Sequence, residues 1–511
     1  MEKIKNLKLW IKDNPKEAAI LGIILLVGAF LRLYKIDQYM TFLGDEGRDV
    51  IIVRRLLVYA DPILIGPVTS IGNMYLGPLY YYMMAPALLL AGFSPVGPAI
   101  QIALLSLATT FFVWFVGREW FGKVAAGVAA SLYAIAPTVI IFSRSSWNPN
   151  IMPFFGLLSI YSIWRVWSKH QFKWLIVLGI SFAAVLQSHY LGLLLAPTLF
   201  LFWVLTFRNY KLEIINFLRY SIFGLLLFAG LMSPLVIFDA RHGWRNFAAM
   251  KEFFTARQTT VSARPWNTIP NFYPLFEKVN IRLLAGRNET VGKIASVAIV
   301  LGFSWLFILK RRKNHSLVPS AYLLLFSWLF FALIGLGLYK QQIYDHYFGF
   351  FFPVSFLLLG GLANELVTSD KRKVISYIVV IICYLLLVTV NLMDNPLRYS
   401  PNRQLQRSID VAQKITEESN GERFNLAVLA ERNYEDGYQY FLEVAGAEVL
   451  HADIWDKDTI SNQLFVVCEK PKEDCKPTTD AKAEVANFGW SKIENQWDVS
   501  GIVLYKLVHS R

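Results

Sequence analysis

The stretch PLYYYMMAPALLLAGF at residues 78–93 decides the fold, because it either crosses a membrane or lies along one. It is short, opens on Pro78, contains Pro86, and sets Tyr80, Tyr81 and Tyr82 side by side. Around it, apolar runs long enough to span fall at about 18–35, 98–117, 123–142, 151–167, 174–188, 191–207, 217–238, 293–309, 317–338, 346–364 and 374–391. Roughly 20 apolar residues are needed to cross the hydrocarbon core. If 78–93 does not cross, there are eleven spans, and nineteen Lys and Arg residues share one side. They are the five lysines up to Lys16, Arg118 with Lys123, Lys169 with Lys173, Arg208 with Lys211 and Arg219, and the runs 310–313 and 371–373. The three short loops opposite (143–150, 188–190, 339–345) hold only Arg144 and Lys340. If 78–93 crosses, every later loop inverts. Cationic loops stay cytoplasmic and tyrosines favour the interface, so the expectation is eleven spans with 78–93 along the outer surface.

Composition agrees. Of 511 residues, 55% are hydrophobic and 17% charged, against roughly 25% charged in soluble domains. This excludes a soluble enzyme, a DNA-binding protein and a disulfide scaffold. The net charge of +13 follows from cationic loops and needs no nucleic acid. The Lys-rich N-terminus and the lack of an A-x-A-like exit predict an uncleaved signal anchor with a cytoplasmic N-terminus. Three larger segments, 37–97, 239–292 and 392–511, then share the outer face. From residue 393 the chain changes character, with a helical period over Gln404–Thr416 and strand-like runs at Phe424–Ala430, Gln463–Cys468 and Gly501–Val508. These predict a small soluble α/β domain over 393–511, outside the cytoplasm, after a transmembrane domain over 1–392. Cys383, within an apolar run, is packing; Cys468 and Cys475 flank a polar loop and pair only in an oxidising compartment.

The span middles are neutral: Arg32, Arg165 and Arg219 fall near span ends, where they can snorkel. Transporters place polar groups near the midplane, so this distribution favours chemistry at one surface. Polar clusters gather at the outer ends. Residues 44–49, GDEGRD, put Asp45 and Glu46 after the first span and before a helical stretch with Arg54 and Arg55 on one side. A carboxylate there can take a proton from an incoming hydroxyl, or simply favour a helix N-terminus. Residues 143–150, SRSSWNPN, offer the planar donors of Arg144 for phosphate, with Trp147 and Asn148 as aromatic and polar contacts; Asn-Pro is equally plain helix punctuation. His189 lies between Gln187 and Tyr190, and His346 follows Tyr344 and Asp345, an acid that either orients the imidazole or caps a helix. The segment 239–292 interleaves Arg241, Arg245, Arg257 and Arg264 with Trp244, Phe247, Phe253, Phe254 and Trp266, as suits a lid over a lipid phosphate or an ordinary interfacial loop.

In order and spacing, GDEGRD (44–49), GPLYYYMMAP (77–86), GREWFGK (117–123) and SRSSWNPN (143–150) resemble the GT-C glycosyltransferases, within them family 39, over roughly residues 15–370. The resemblance implies a polytopic helical membrane enzyme with interfacial juxtamembrane helices. It further implies an inverting transfer of a sugar from a polyprenyl-phosphate donor to an acceptor outside the cytoplasm of a prokaryote. Asp45 stands at that family's acidic position, with Glu46 beside it, as general base. Arg48, Tyr80, Tyr81, Arg144, Trp147, Asn148, His189, Tyr344 and His346 are then the expected substrate contacts. Relatives often carry a second acid after the third span, able to help bind a divalent metal; here stand Asn148 and Asn150, a poor ligand set for a hard cation. The rival readings are a transporter or flippase of lipid-linked saccharides, and an acyl- or phosphoethanolamine-type transferase using His189.

Overall fold

The computed structural model describes residues 10–69, 74–209, 213–255, 260–262, 264–312, 320–369, 373–453 and 455–510. Lys3, Lys5, Lys8, Lys211, Arg257, Lys313, Lys371 and Arg372, all named above, lie outside the described residues. Every expected span is helical: Pro15–Leu33, Val96–Trp120, Lys123–Ile135 continued by Pro137–Phe142, Met152–Lys169, Trp174–Ser188, Ala196–Asn209, Ile214–Arg241, Glu289–Arg312, Ser320–Gly337, Phe352–Ser369 and Lys373–Met393. Among the described residues, seven helices are long and apolar enough to cross a membrane by themselves. The third expected span is broken because Pro137 has no N–H to donate and forces Ala136 into extended geometry (ψ 120°). The stretch 78–93 forms the helix Leu79–Leu90. Twelve residues rise about 18 Å, well short of a hydrocarbon core of about 30 Å.

Helices bury small and aromatic faces against one another, with Ala125, Ala129, Tyr133, Trp328, Phe348 and Phe350 fully enclosed. Leu26, Ile222, Leu225 and Ile382 point outward, as a lipid solvent permits. Arg32 departs from expectation. It does not snorkel: its guanidinium is fully buried and donates to Ser106 Oγ and to the carbonyls of Gly28 and Ala134. A cation that deep stays only when every donor is occupied. Of the basic residues assigned to the inner face, Arg118 and Lys123 both pair with Glu17 in the first turn of the first helix, and nearby Arg165 pairs with Glu119.

The described residues of 239–292 are largely helical. They form the helices Arg245–Thr255 and Ile269–Leu283, the second burying Leu275, Phe276, Val279 and Leu283. The C-terminal region is a small α/β domain. Its five strands are β1 (Phe424–Leu429), β2 (Val449–Leu450), β3 (Gln463–Cys468), β4 (Ser491–Val499) and β5 (Ile502–His509), in the order β2-β1-β3-β5-β4. β1 runs parallel to β2 and β3, whereas β5 is antiparallel to β3 and β4. Cys468, at the end of β3, forms a disulfide with Cys475. The helix Asp436–Val444 rests on the first-loop helix Gly44–Tyr59 at a glycine seam: a Cβ on Gly47 would lie 2.3 Å from the Gly437 nitrogen. Arg55 pairs with Glu443 at 2.6 Å, and the Arg403 N–H donates to the Gln38 carbonyl at 2.9 Å.

Candidate active site

Asp45 owes its position to a helix start. The helix Gly44–Tyr59 has donors at its N-terminus that need acceptors. Glu46 Oε2 accepts from the Leu43 N–H at 3.0 Å, and Asn433 Oδ1 of the C-terminal domain accepts from the Gly44 N–H at 2.9 Å. Glu46 is thereby turned inward and buried, while Asp45, one residue earlier, is left 45% exposed. Arg48, one turn on, donates to Asp45 Oδ1 at 2.8 Å and to Asp49 Oδ1 at 2.7 Å. Tyr81 donates its hydroxyl to the same Asp49 oxygen at 3.0 Å. Burial raises the Glu46 carboxyl to about 7, against the pull of the Leu43 N–H, with the Asp45 charge adding to the rise. Burial also raises Asp49, to about 6, with Arg48 opposing. For Arg48 burial works against the charge, but Asp49, Tyr81 and Asp45 together hold it firmly protonated.

Asp45 and Arg48 face a cavity of about 450 Å³. Its polar end adds Trp147, Asn148, His189, Tyr344 and His346; its remaining wall is largely apolar, including Val68, Leu76, Leu191, Leu194, Met250, Phe253 and Leu338. Four clusters far apart in sequence therefore meet. The His346 ring sits 4.6 Å from Trp147, 6.0 Å from His189, and stacks on Tyr344 at 5.8 Å. His189 Nδ1 accepts from the Leu191 N–H at 3.1 Å, which leaves the proton of the neutral ring on Nε2. Burial lowers this imidazole to about 4, so it is neutral at physiological pH. Asn148 lines the cavity but spends its amide N–H on the Ser188 carbonyl at 2.6 Å.

Four expected contacts do not line this cavity. Tyr80 and Tyr81 are buried behind the acidic helix, their hydroxyls engaged by Ser146 at 2.6 Å and by Asp49. Glu46 is turned away as described. Arg144 is no phosphate ligand: it is buried and donates to the carbonyls of Leu31 and Tyr34 at 2.7 Å each, tying the third span to the end of the first. Asp345 does not orient His346; Arg282 Nε donates to both its oxygens at 2.8 Å. Sequence reasoning missed Asn433, and with it Arg432 and Tyr434. Its only trace is the turn-like run Asn433-Tyr434-Glu435-Asp436-Gly437.

The donor set does not fit a divalent cation. Asp45 is the one carboxylate among the described lining residues of the cavity, Arg48 already meets its charge, and Asn148 presents a committed amide. Among the described residues no three His, Cys, Asp or Glu side chains converge as ligands.

Comparison with known proteins extends this geometry. Residues 76–238 match the family model described as dolichyl-phosphate-mannose-protein mannosyltransferase. No curated protein matches the sequence significantly. Among solved structures, the chain is similar to ArnT from Cupriavidus metallidurans bound to undecaprenyl phosphate (TM-score 0.59, 12% identity, covering 96% of this chain and 98% of that one). It is also similar to the oligosaccharyltransferase AglB from Archaeoglobus fulgidus in complex with an inhibitory peptide and a dolichol-phosphate (TM-score 0.51, 15% identity, 89% and 70%). A third likeness is to the arabinofuranosyltransferase AftD from Mycobacteria (TM-score 0.51, 12% identity, 98% of this chain and 42% of that one). With its apolar helices, its acidic first-loop helix and its small C-terminal sheet domain, the chain has the GT-C fold that these membrane glycosyltransferases share.

Proposed function

We propose that the protein is a membrane glycosyltransferase that moves a sugar from a polyprenyl-phosphate donor to an acceptor hydroxyl, with inversion, on the extracytoplasmic side. The observation that carries the reading is the cavity itself, where a half-exposed carboxylate and a guanidinium close the polar end of an otherwise apolar chamber. An isoprenoid chain suits such walls, and a phosphate suits Arg48, the one cation among the described lining residues. In this reading Asp45 accepts the proton of the acceptor hydroxyl, and that oxygen attacks the anomeric carbon from the face opposite the lipid. The bond from the anomeric carbon to the phosphate oxygen breaks, and the lipid phosphate leaves with the electron pair. Arg48 and the Nε2–H of His189 stabilise the charge that develops there.

The test is transfer from a polyprenyl-phosphate sugar in nanodiscs. Asp45→Asn keeps size and fold but removes the base, and turnover drops by about 10²–10⁴-fold. Unchanged turnover would remove Asp45 from the mechanism. Passage of lipid-linked sugar across sealed vesicles with no glycosidic bond formed would favour a flippase.

A further inference from the structure

Asp45 and Trp147 belong to two cavities at once. On their far side lies a second chamber of about 230 Å³, closed by Phe142 from the membrane part and by Arg432 and Tyr434 from the C-terminal domain. Those last two residues flank Asn433, and Asn433 is clamped. It is buried; its Oδ1 accepts from the N–H groups of Gly44 and Tyr434 at 2.9 Å each, and its Nδ2 donates to Glu469 Oε1 at 2.6 Å. Glu469 is held in turn by the Tyr438 hydroxyl at 2.5 Å. The Tyr434 side chain packs so closely over Gly44 that a Cβ there would lie 2.6 Å from its own. Arg432, by contrast, is exposed and makes no hydrogen bond or ion pair among the described residues. A loop fixed this firmly, carrying an uncommitted guanidinium beside a catalytic carboxylate, is arranged to hold something.

We propose that Arg432 and Tyr434 form the acceptor subsite, and that the acceptor group bound there is a sugar ring. The inference rests on the transferase reading above. The chamber, of about 230 Å³, has room for a single sugar ring. Its chemistry is that of saccharide recognition: a carboxylate to accept from hydroxyls, a planar guanidinium to bridge neighbouring oxygens, and aromatic faces for the C–H side of the ring. The C-terminal domain thereby acts as one wall of the reaction chamber.

The test uses the full chain in nanodiscs and needs no turnover. Methyl α-mannoside, methyl β-glucoside and methyl β-galactoside, and a serine-containing pentapeptide as rival, are titrated by saturation-transfer NMR. At least one methyl glycoside binds, and Arg432→Ala and Tyr434→Ala each weaken it by about tenfold or more, the loss of one well-placed polar or stacking group. Undecaprenyl phosphate binding stays unchanged in both variants, which shows that they are folded. Binding of no glycoside, binding of the peptide in their place, or glycoside binding indifferent to both variants overturns the subsite. If the subsite fails while transfer still depends on Asp45, the transferase reading survives. If glycoside binding depends on Arg432 while the unaltered protein transfers no sugar from a polyprenyl-phosphate donor, the transferase reading alone fails.

Discussion

Asp45 and Glu46 are adjacent acids with opposite surroundings, because consecutive helical residues point about 100° apart. One opens into the cavity and the other turns back to hold the Leu43 N–H. The buried one has a stability signature. Its carboxyl is raised from 4.5 to about 7, so the fold prefers the protonated form. Stability is then full below about pH 4.5 and falls as pH rises towards 7, by up to about 3 kcal/mol. The melting temperature in detergent drops between pH 5 and pH 8, and Glu46→Gln, which keeps an acceptor for Leu43, flattens that slope. Arg144 carries a second prediction. Arg144→Ala strips the buried Leu31 carbonyl and the part-buried Tyr34 carbonyl of their donor and costs about 1–3 kcal/mol, seen as a lower melting temperature, while donor affinity in the assembled protein stays unchanged. The sequence identifies the residue types of this site but cannot apportion them. A guanidinium that caps a helix end and one that binds phosphate use the same donors. Which is which depends on whether carbonyls from residues 31–35 reach it first.

At the scale of elements, the seam between the helices Gly44–Tyr59 and Asp436–Val444 sets where Asp45 stands. Gly47→Ala places a methyl 2.3 Å from the Gly437 nitrogen and 2.4 Å from the Asp436 carbonyl carbon, both backbone atoms that cannot rotate away. The variant loses about 1–3 kcal/mol and most transfer, and limited proteolysis cuts it faster between residues 394 and 403. Gly22→Ala, where nothing lies within 4 Å, is the silent control. The strands legible beforehand, at 424–429, 463–468 and 502–509, are those with unbroken apolar runs. β4 escaped because six of its nine residues are polar or charged and most are exposed on the sheet edge, leaving no alternation to read. The helix Ile269–Leu283 escaped because Pro270 and Pro274 read as breakers, although Pro270 sits in its first turn, where no N–H is missed.

At the scale of the molecule, the spans were legible because lipid leaves the backbone only its own partners, so apolar length translates into helix. The meeting of four distant clusters was legible only through the parity of crossings, and the part played by the C-terminal domain was not legible at all. A hydrogen bond from Gly44 to Asn433 bridges 389 residues and leaves no local pattern. The orientation proposed here has a direct check. In a Cys383→Ser background, a cysteine at Lys123 reacts with a membrane-impermeant maleimide only after permeabilisation, and one at Ser500 reacts in intact cells. The reverse result inverts the topology.

The glycine seam also gives the chain a weak point away from both chambers, since neither Gly47 nor Gly437 lines them. A compound wedged between Gly47 and Gly437 would tilt the carboxylate out of register from behind. It would never enter the greasy chamber, and so would not have to outcompete a long-tailed lipid held at high local concentration.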